Sequence, residues 1–212
     1  GGTGTIAGSV YTAGIAKALT DNTTQITRTG FTFAGWTTNA NGTGTTYTNK
    51  QSITLFAGIT VYAKWNANTY AVTFGSNTAS GSTHPSLGMP NQNFSAGTPF
   101  NLSTSVWYKD GHDFIGWSAT TGVATVLYTP NQSVTLFGNT TIYAQWTAKV
   151  FTVTYSNNGG SGVASVASQN YTFGTPAITS FATIGAMTRP GYIFGGWATT
   201  STGTTALTTL TP

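Results

Sequence analysis

The chain repeats itself every 80 or 81 residues, and that period constrains its fold more than any other feature. Gly30-Phe31-Thr32-Phe33-Ala34-Gly35-Trp36 returns as Gly111-His112-Asp113-Phe114-Ile115-Gly116-Trp117 and again as Gly191-Tyr192-Ile193-Phe194-Gly195-Gly196-Trp197. Ile53-Thr54-Leu55-Phe56 leading to Val61-Tyr62-Ala63-Lys64-Trp65 returns as Val134-Thr135-Leu136-Phe137 leading to Ile142-Tyr143-Ala144-Gln145-Trp146. Tyr70-Ala71-Val72-Thr73-Phe74 returns as Phe151-Thr152-Val153-Thr154-Tyr155. A chain copied at this period folds as a tandem array of small units, each stabilised by its own core and by its neighbours.

The phase of the copies sets the expected domain boundaries. Residues 1–65 read as a first repeat without its opening strand, 69–146 as a complete second repeat, and 150–212 as a third repeat without its closing strand. The two ends together lack the equivalent of residues 131–158, so the chain reads as an interior slice of a longer array. It opens Gly1-Gly2-Thr3-Gly4, with neither an initiator Met nor the charged and apolar regions of a secretory leader.

Within a unit the pattern is that of strands. Tyr70, Val72 and Phe74 alternate with Thr69, Ala71 and Thr73, the period of a half-buried strand. Ser156-Asn157-Asn158-Gly159-Gly160 supplies a turn, and a second strand over Val163 to Phe173 is expected to return antiparallel. The connection that follows is variable. In the first copy Ile15-Ala16-Lys17-Ala18-Leu19 is built of helix formers, which makes room for one short helix per unit. Three residues separate Phe33 from Trp36, so the two face the same side only if Gly35 marks a bulge. The expected fold class is mainly β: small α+β units of about four strands in tandem.

Composition then removes most chemistry. Charged residues are 5% of the chain, against roughly 25% in a typical globular protein. There is no Glu and no Cys, and the acids are Asp21, Asp110 and Asp113. Thiolate and disulfide chemistry is excluded, and no metal-ligand or cofactor motif exists. His84 and His112 are the two imidazoles. His112 and Asp113 are adjacent on an expected strand and so point to opposite faces, which argues against catalysis. The seven Lys and Arg are scattered singly, unlike the basic stripe of a nucleic-acid binder. No apolar run approaches a membrane span. Yet hydrophobic residues are 39% and aromatic residues 13%, too many for disorder.

The in-phase aromatics Phe33, Trp36, Trp65, Phe114, Trp117, Trp146, Phe194 and Trp197 are expected core anchors, because an 80-residue unit needs large apolar area to fold. Trp107 breaks the period and, beside Tyr108, stands as the candidate ligand or interface residue. Arg28, Lys109 and Arg189 each lie two residues before the motif Gly and read as solvated loop charges.

The combination of an alternating strand ending in Asn-Gly-Gly over 151–160, Pro-Gly-Tyr-x-Phe-x-Gly-Trp over 190–197 and Ile-x-Ala-x-Trp over 142–146 resembles the Listeria-Bacteroides repeat, the family that includes the internalin B-repeat. That resemblance implies β-grasp-like units in tandem on bacterial secreted and surface proteins, commonly as spacers between an adhesive tip and a wall anchor, with no catalytic residues. The expected role is therefore non-enzymatic: an extracellular stalk, fibre or sheath subunit at the cell surface. Its partners would be copies of itself or adjacent repeats, with cell-wall or host glycans as further ligands. Two other readings compete: a carbohydrate-binding module using exposed Trp and Tyr, and a Thr-rich ice or mineral surface.

Overall fold

In a computed structural model the chain is a β protein of three tandem repeats, with no helix among the described residues. The structure describes residues 2–23, 25–77, 83–84, 88–123, 125–164, 168–176, 181–182 and 185–208. The first repeat contributes β1 (Ala16–Ala18), β2 (Phe31–Thr37), β3 (Thr46–Tyr47), β4 (Ser52–Thr54) and β5 (Tyr62–Ala67). The second contributes β6 (Thr69–Gly75), β7 (Thr83–His84), β8 (Gln92–Ser95), β9 (Phe100–Asn101), β10 (Tyr108–Lys109), β11 (His112–Ser118), β12 (Ser133–Val134) and β13 (Thr140–Ala148). The third contributes β14 (Val150–Thr154) and β15 (Ser168–Thr172).

The main sheet of the first repeat has the order β3-β2-β5, all antiparallel. In the second repeat the order is β11-β13-β6-β8. There β6 and β8 are antiparallel neighbours, while β13 runs parallel to β6 from Thr140↔Val72 to Tyr143↔Gly75. β14 and β15 pair antiparallel over Val150↔Thr172 to Thr154↔Ser168. The returning second strand is thus shorter than the span expected from sequence, part of which (165–167) lies outside the described residues.

The helix-forming run in the first copy is β1, an antiparallel partner of β4 from Ala16↔Thr54 to Ala18↔Ser52. Five residues of favourable propensity cannot nucleate a helix on their own, whereas a waiting strand edge satisfies their backbone groups at once. The ladder is extended by Gly14 and Leu19, which donate to the Leu55 and Gln51 carbonyls at 2.9 Å each. Leu19, Trp36 and Ile53 form the buried cluster beneath, with Ile26, Phe33, Tyr47 and Val61 packed on it.

Gly35 does mark a bulge: the β2–β5 register shifts between Phe33 and Gly35. Gly35 has φ +112° and lies against the Tyr47 carbonyl, so a side chain there would meet backbone. The extra residue rephases the strand and brings the Phe33 and Trp36 rings to one face, edge to face at 5.1 Å. The device is copied: Phe114 and Trp117 meet at 5.0 Å, Phe194 and Trp197 at 5.2 Å. Trp65 and Trp146 close onto Phe33 and Phe114 at 5.6 Å in each case.

By contacts the chain divides into two compact units that are not the repeats. One comprises 1–75, 89–104 and 128–143; the other comprises 76–88, 105–127 and 144–212. The break runs through the second repeat, so each unit holds one of the two places where a repeat passes into the next.

Candidate functional site

Each passage from repeat to repeat is a single residue. β5 ends at Ala67 and β6 begins at Thr69; β13 ends at Ala148 and β14 begins at Val150. The residue between is gripped by backbone on both sides. Asn68 donates its N–H to the Gly30 carbonyl at 2.9 Å, and its own carbonyl accepts from Ala96 at 3.0 Å. Lys149 donates to the Gly111 carbonyl and accepts from Phe173, both at 2.8 Å. Gly30 and Gly111 belong to the earlier repeat, Ala96 and Phe173 to the later one, so the joint residue is a hydrogen-bonded rivet between them.

The surroundings of the two joints match position by position while their chemistry differs. At the first, the Thr32 hydroxyl donates to Asn68 Oδ1 at 2.6 Å. At the second, the same two positions carry Asp113 and Lys149, an ion pair at 3.5 Å. Phe31 of the first repeat lies against Gly97 of the second. Its counterpart His112 meets the Phe173 ring edge-on at 5.4 Å, with Nδ1 2.7 Å from the Asp110 carbonyl oxygen. His112 and Asp113 therefore serve different partners on opposite sides of β11. Each earlier-repeat glycine has the left-handed φ, +80° and +63°, and a Cβ on it would strike Ala96 or the Phe173 ring.

The candidate residues fall as follows. Trp36 and Trp117 are buried, with half-buried Phe33 and Phe114 against them and half-buried Trp65 and Trp146 against those rings; Trp197 is half-buried against Tyr155, while Phe194, expected as a core anchor, is exposed. Trp107, the aperiodic candidate for a ligand platform, is 8% exposed and packs edge-on against Trp117 at 6.3 Å. It stands 81 residues after Ile26, a core residue of the first repeat, and occupies the same seat with a larger side chain. Tyr108 beside it is exposed, on the opposite face of β10. Alignment at the repeat period, rather than the rarity of Trp, was the signal for Trp107.

Two of the supposed loop charges have partners that the sequence did not reveal. The Arg28 guanidinium lies 3.8 Å from the centre of the Phe31 ring, and Arg189 lies 4.1 Å from that of Tyr192. Lys109, at the same position of the second repeat, is buried in β10. Among the acids, Asp21 pairs with Lys50 at 2.7 Å, and that ammonium, aided by the Thr23 and Asn49 side chains, holds its carboxyl down to about 2. Among the described residues no three His, Asp, Cys or Glu side chains gather as a metal site, and no helix is long and apolar enough to cross a membrane.

Repeated bulged strands carrying paired aromatics, joined by one-residue rivets, define a tandem-repeat β protein. The chain belongs to the Listeria-Bacteroides repeat family: the pattern of that repeat domain matches three times, over residues 1–64, 70–145 and 151–212. Among curated proteins it is similar to one of Evansella cellulosilytica named "Putative Gly-rich membrane protein", 28% identical over 142 residues, which are 66% of this chain and 15% of that protein. A second protein of the same organism, named "Putative membrane protein", is 32% identical over 108 residues, 51% of this chain and 15% of its own length. No solved structure matches the chain.

Proposed function

We propose that this chain is a non-enzymatic structural segment of an extracellular, surface-borne bacterial protein, in which successive repeats act as a stiff spacer and associate with repeats of their own kind. The observation that carries this reading is the one-residue joint, fastened by two backbone hydrogen bonds and reproduced at both passages. A flexible tether would use a Gly/Ser-rich linker of many residues. Membership in a family of tandem repeats and the membrane-protein names of its relatives support the surface setting. A low density of charge weakens repulsion between copies and suits lateral contact. Stacking on sugars would need open indole faces, which Trp36, Trp107 and Trp117 do not offer.

The test is backbone 15N relaxation on the 212-residue chain. Residues on the two sides of Asn68, and likewise of Lys149, are expected to share one rotational correlation time. Independent tumbling of 1–65 and 69–146 would overturn the spacer reading. Antibody labelling of intact source cells checks the surface setting, and absence of label before permeabilisation counts against it.

A further inference from the structure

Asn-Gly is the dipeptide at which a protein chain most readily attacks itself, because no side chain on the glycine hinders its nitrogen. It occurs twice here, as Asn41-Gly42 in the turn after β2 and as Asn158-Gly159 in the turn after β14. The two turns treat the same dipeptide in opposite ways. The Gly42 N–H donates to the Asn39 carbonyl at 3.0 Å, and Asn41 Oδ1 is held by the Thr43 N–H at 3.1 Å and the Thr43 hydroxyl at 2.7 Å. The Gly159 N–H has no acceptor among the described residues, and a side chain placed there would meet no atom within 4 Å.

The rest of the second turn presents its amide to solvent. Asn158 has the left-handed φ of +45° and donates its N–H to Ser156 Oγ at 3.3 Å, while the Gly160 N–H closes the turn on the Asn157 carbonyl at 2.9 Å. Asn158 Nδ2 donates to the Ser201 carbonyl at 2.8 Å, and both Asn158 and Gly159 are exposed. A backbone amide loses its proton to water only when it is unpaired and wetted. Gly159 meets that condition in the folded chain, whereas Gly42 meets it only after its turn opens. The left-handed asparagine recurs in phase as Asn77, φ +53°, but there Thr78 follows in sequence and its branched side chain crowds the attacking nitrogen.

We propose that Asn158-Gly159 is a self-modification site, at which the folded chain converts Asn158 to an aspartyl or isoaspartyl residue with water as the sole reactant. Hydroxide removes the Gly159 amide proton, and the nitrogen attacks Asn158 Cγ. The Cγ–Nδ2 bond breaks and Nδ2 leaves as ammonia, with a proton returned from water, to give a succinimide ring. Water then opens the ring at either carbonyl, leaving an α-linked or a β-linked acid at position 158. One water is consumed, one ammonia is released, and nothing is oxidised or reduced. The new carboxylate takes the formal net charge from +4 to +3 in a chain that has three acids. The β-linked product also lengthens the main chain by one carbon inside the Asn157–Gly160 turn, so the reaction marks the age of the connection between β14 and β15. The proposal is independent of the spacer reading.

The experiment holds the full chain in mildly alkaline buffer and follows the peptides containing Asn41 and Asn158 by mass spectrometry, with isoaspartyl methyltransferase labelling to count the β-linked product. Asn158 is expected to convert faster than Asn41 by about fivefold or more, the factor that opening one backbone hydrogen bond imposes. In urea, where both turns are lost, the two steps are expected to convert at similar rates. Amide hydrogen exchange on the fresh chain is an independent readout, with Gly159 expected to exchange faster than Gly42. Equal or faster conversion at Asn41 in the folded chain overturns the proposal. So does a rate ratio unchanged by urea, which would assign the difference to neighbouring residues and not to the turns, and so does slower exchange at Gly159 than at Gly42.

Discussion

At the scale of single residues, two kinds of glycine carry the architecture for different reasons. Gly35 and its copies put a bulge into a strand so that two aromatics share a face. Gly111 leaves room for a neighbour: its φ of +63° and the Phe173 ring above it both exclude a side chain. Gly111→Ala is expected to lose about 1–2 kcal/mol through the left-handed backbone alone and more through displacement of Phe173. Gly174→Ala has a similar φ of +77° with open space around it and should show the backbone cost only. Thermal unfolding of the two variants separates the terms, and equal losses would mean that Phe173 does not depend on the bare glycine. The sequence made both glycines visible as recurrent positions, but it could not distinguish a bulge from a contact, since that depends on what lies across from each. The same holds for Arg28, whose ring partner three residues on was in plain view while its geometry was not.

At the scale of elements, the joints show how one geometry tolerates two chemistries. Thr32 with Asn68 and Asp113 with Lys149 occupy matching places, one a neutral hydrogen bond and the other an exposed ion pair. A double-mutant cycle on Asp113→Thr and Lys149→Asn is expected to give a coupling below about 1 kcal/mol that shrinks as salt is raised. The double variant should recover stability relative to either single change, because it rebuilds the first joint's Thr–Asn pair at the second. A coupling that is indifferent to salt would refute the ion-pair description. The elements also show where local reading stops. Ile15 to Leu19 favours helix by composition and forms β1 because β4 offers paired hydrogen bonds. The alternation of Tyr70, Val72 and Phe74 was legible as strand β6, yet nothing in it announced a parallel partner 68 residues away at Thr140.

At the scale of the whole chain, the period should be a unit of exchange. Removing residues 69–149 joins Asn68 to Val150, keeps the Thr32–Asn68 bond and sets Phe31 where His112 faces Phe173. The shortened chain is expected to fold and unfold cooperatively at a lower midpoint, since one stack of repeats has lost a nearest neighbour. A deletion of similar length taken out of phase should not fold. Circular dichroism melts of the two chains decide the matter: if the in-phase deletion also fails, the repeats are not interchangeable modules. Sequence by itself determined the period, the β class, the in-phase recurrence of the aromatics and the poverty of charged groups, because each of these is written in composition, local alternation and copying. Only the tertiary structure decided that Trp107 belongs to the core, that β13 enters parallel beside β6, and that one clamped residue joins each repeat to the next. Those outcomes rest on which distant backbone edge or ring is nearest in space, a choice made by the collapse of the chain and absent from any single window of residues.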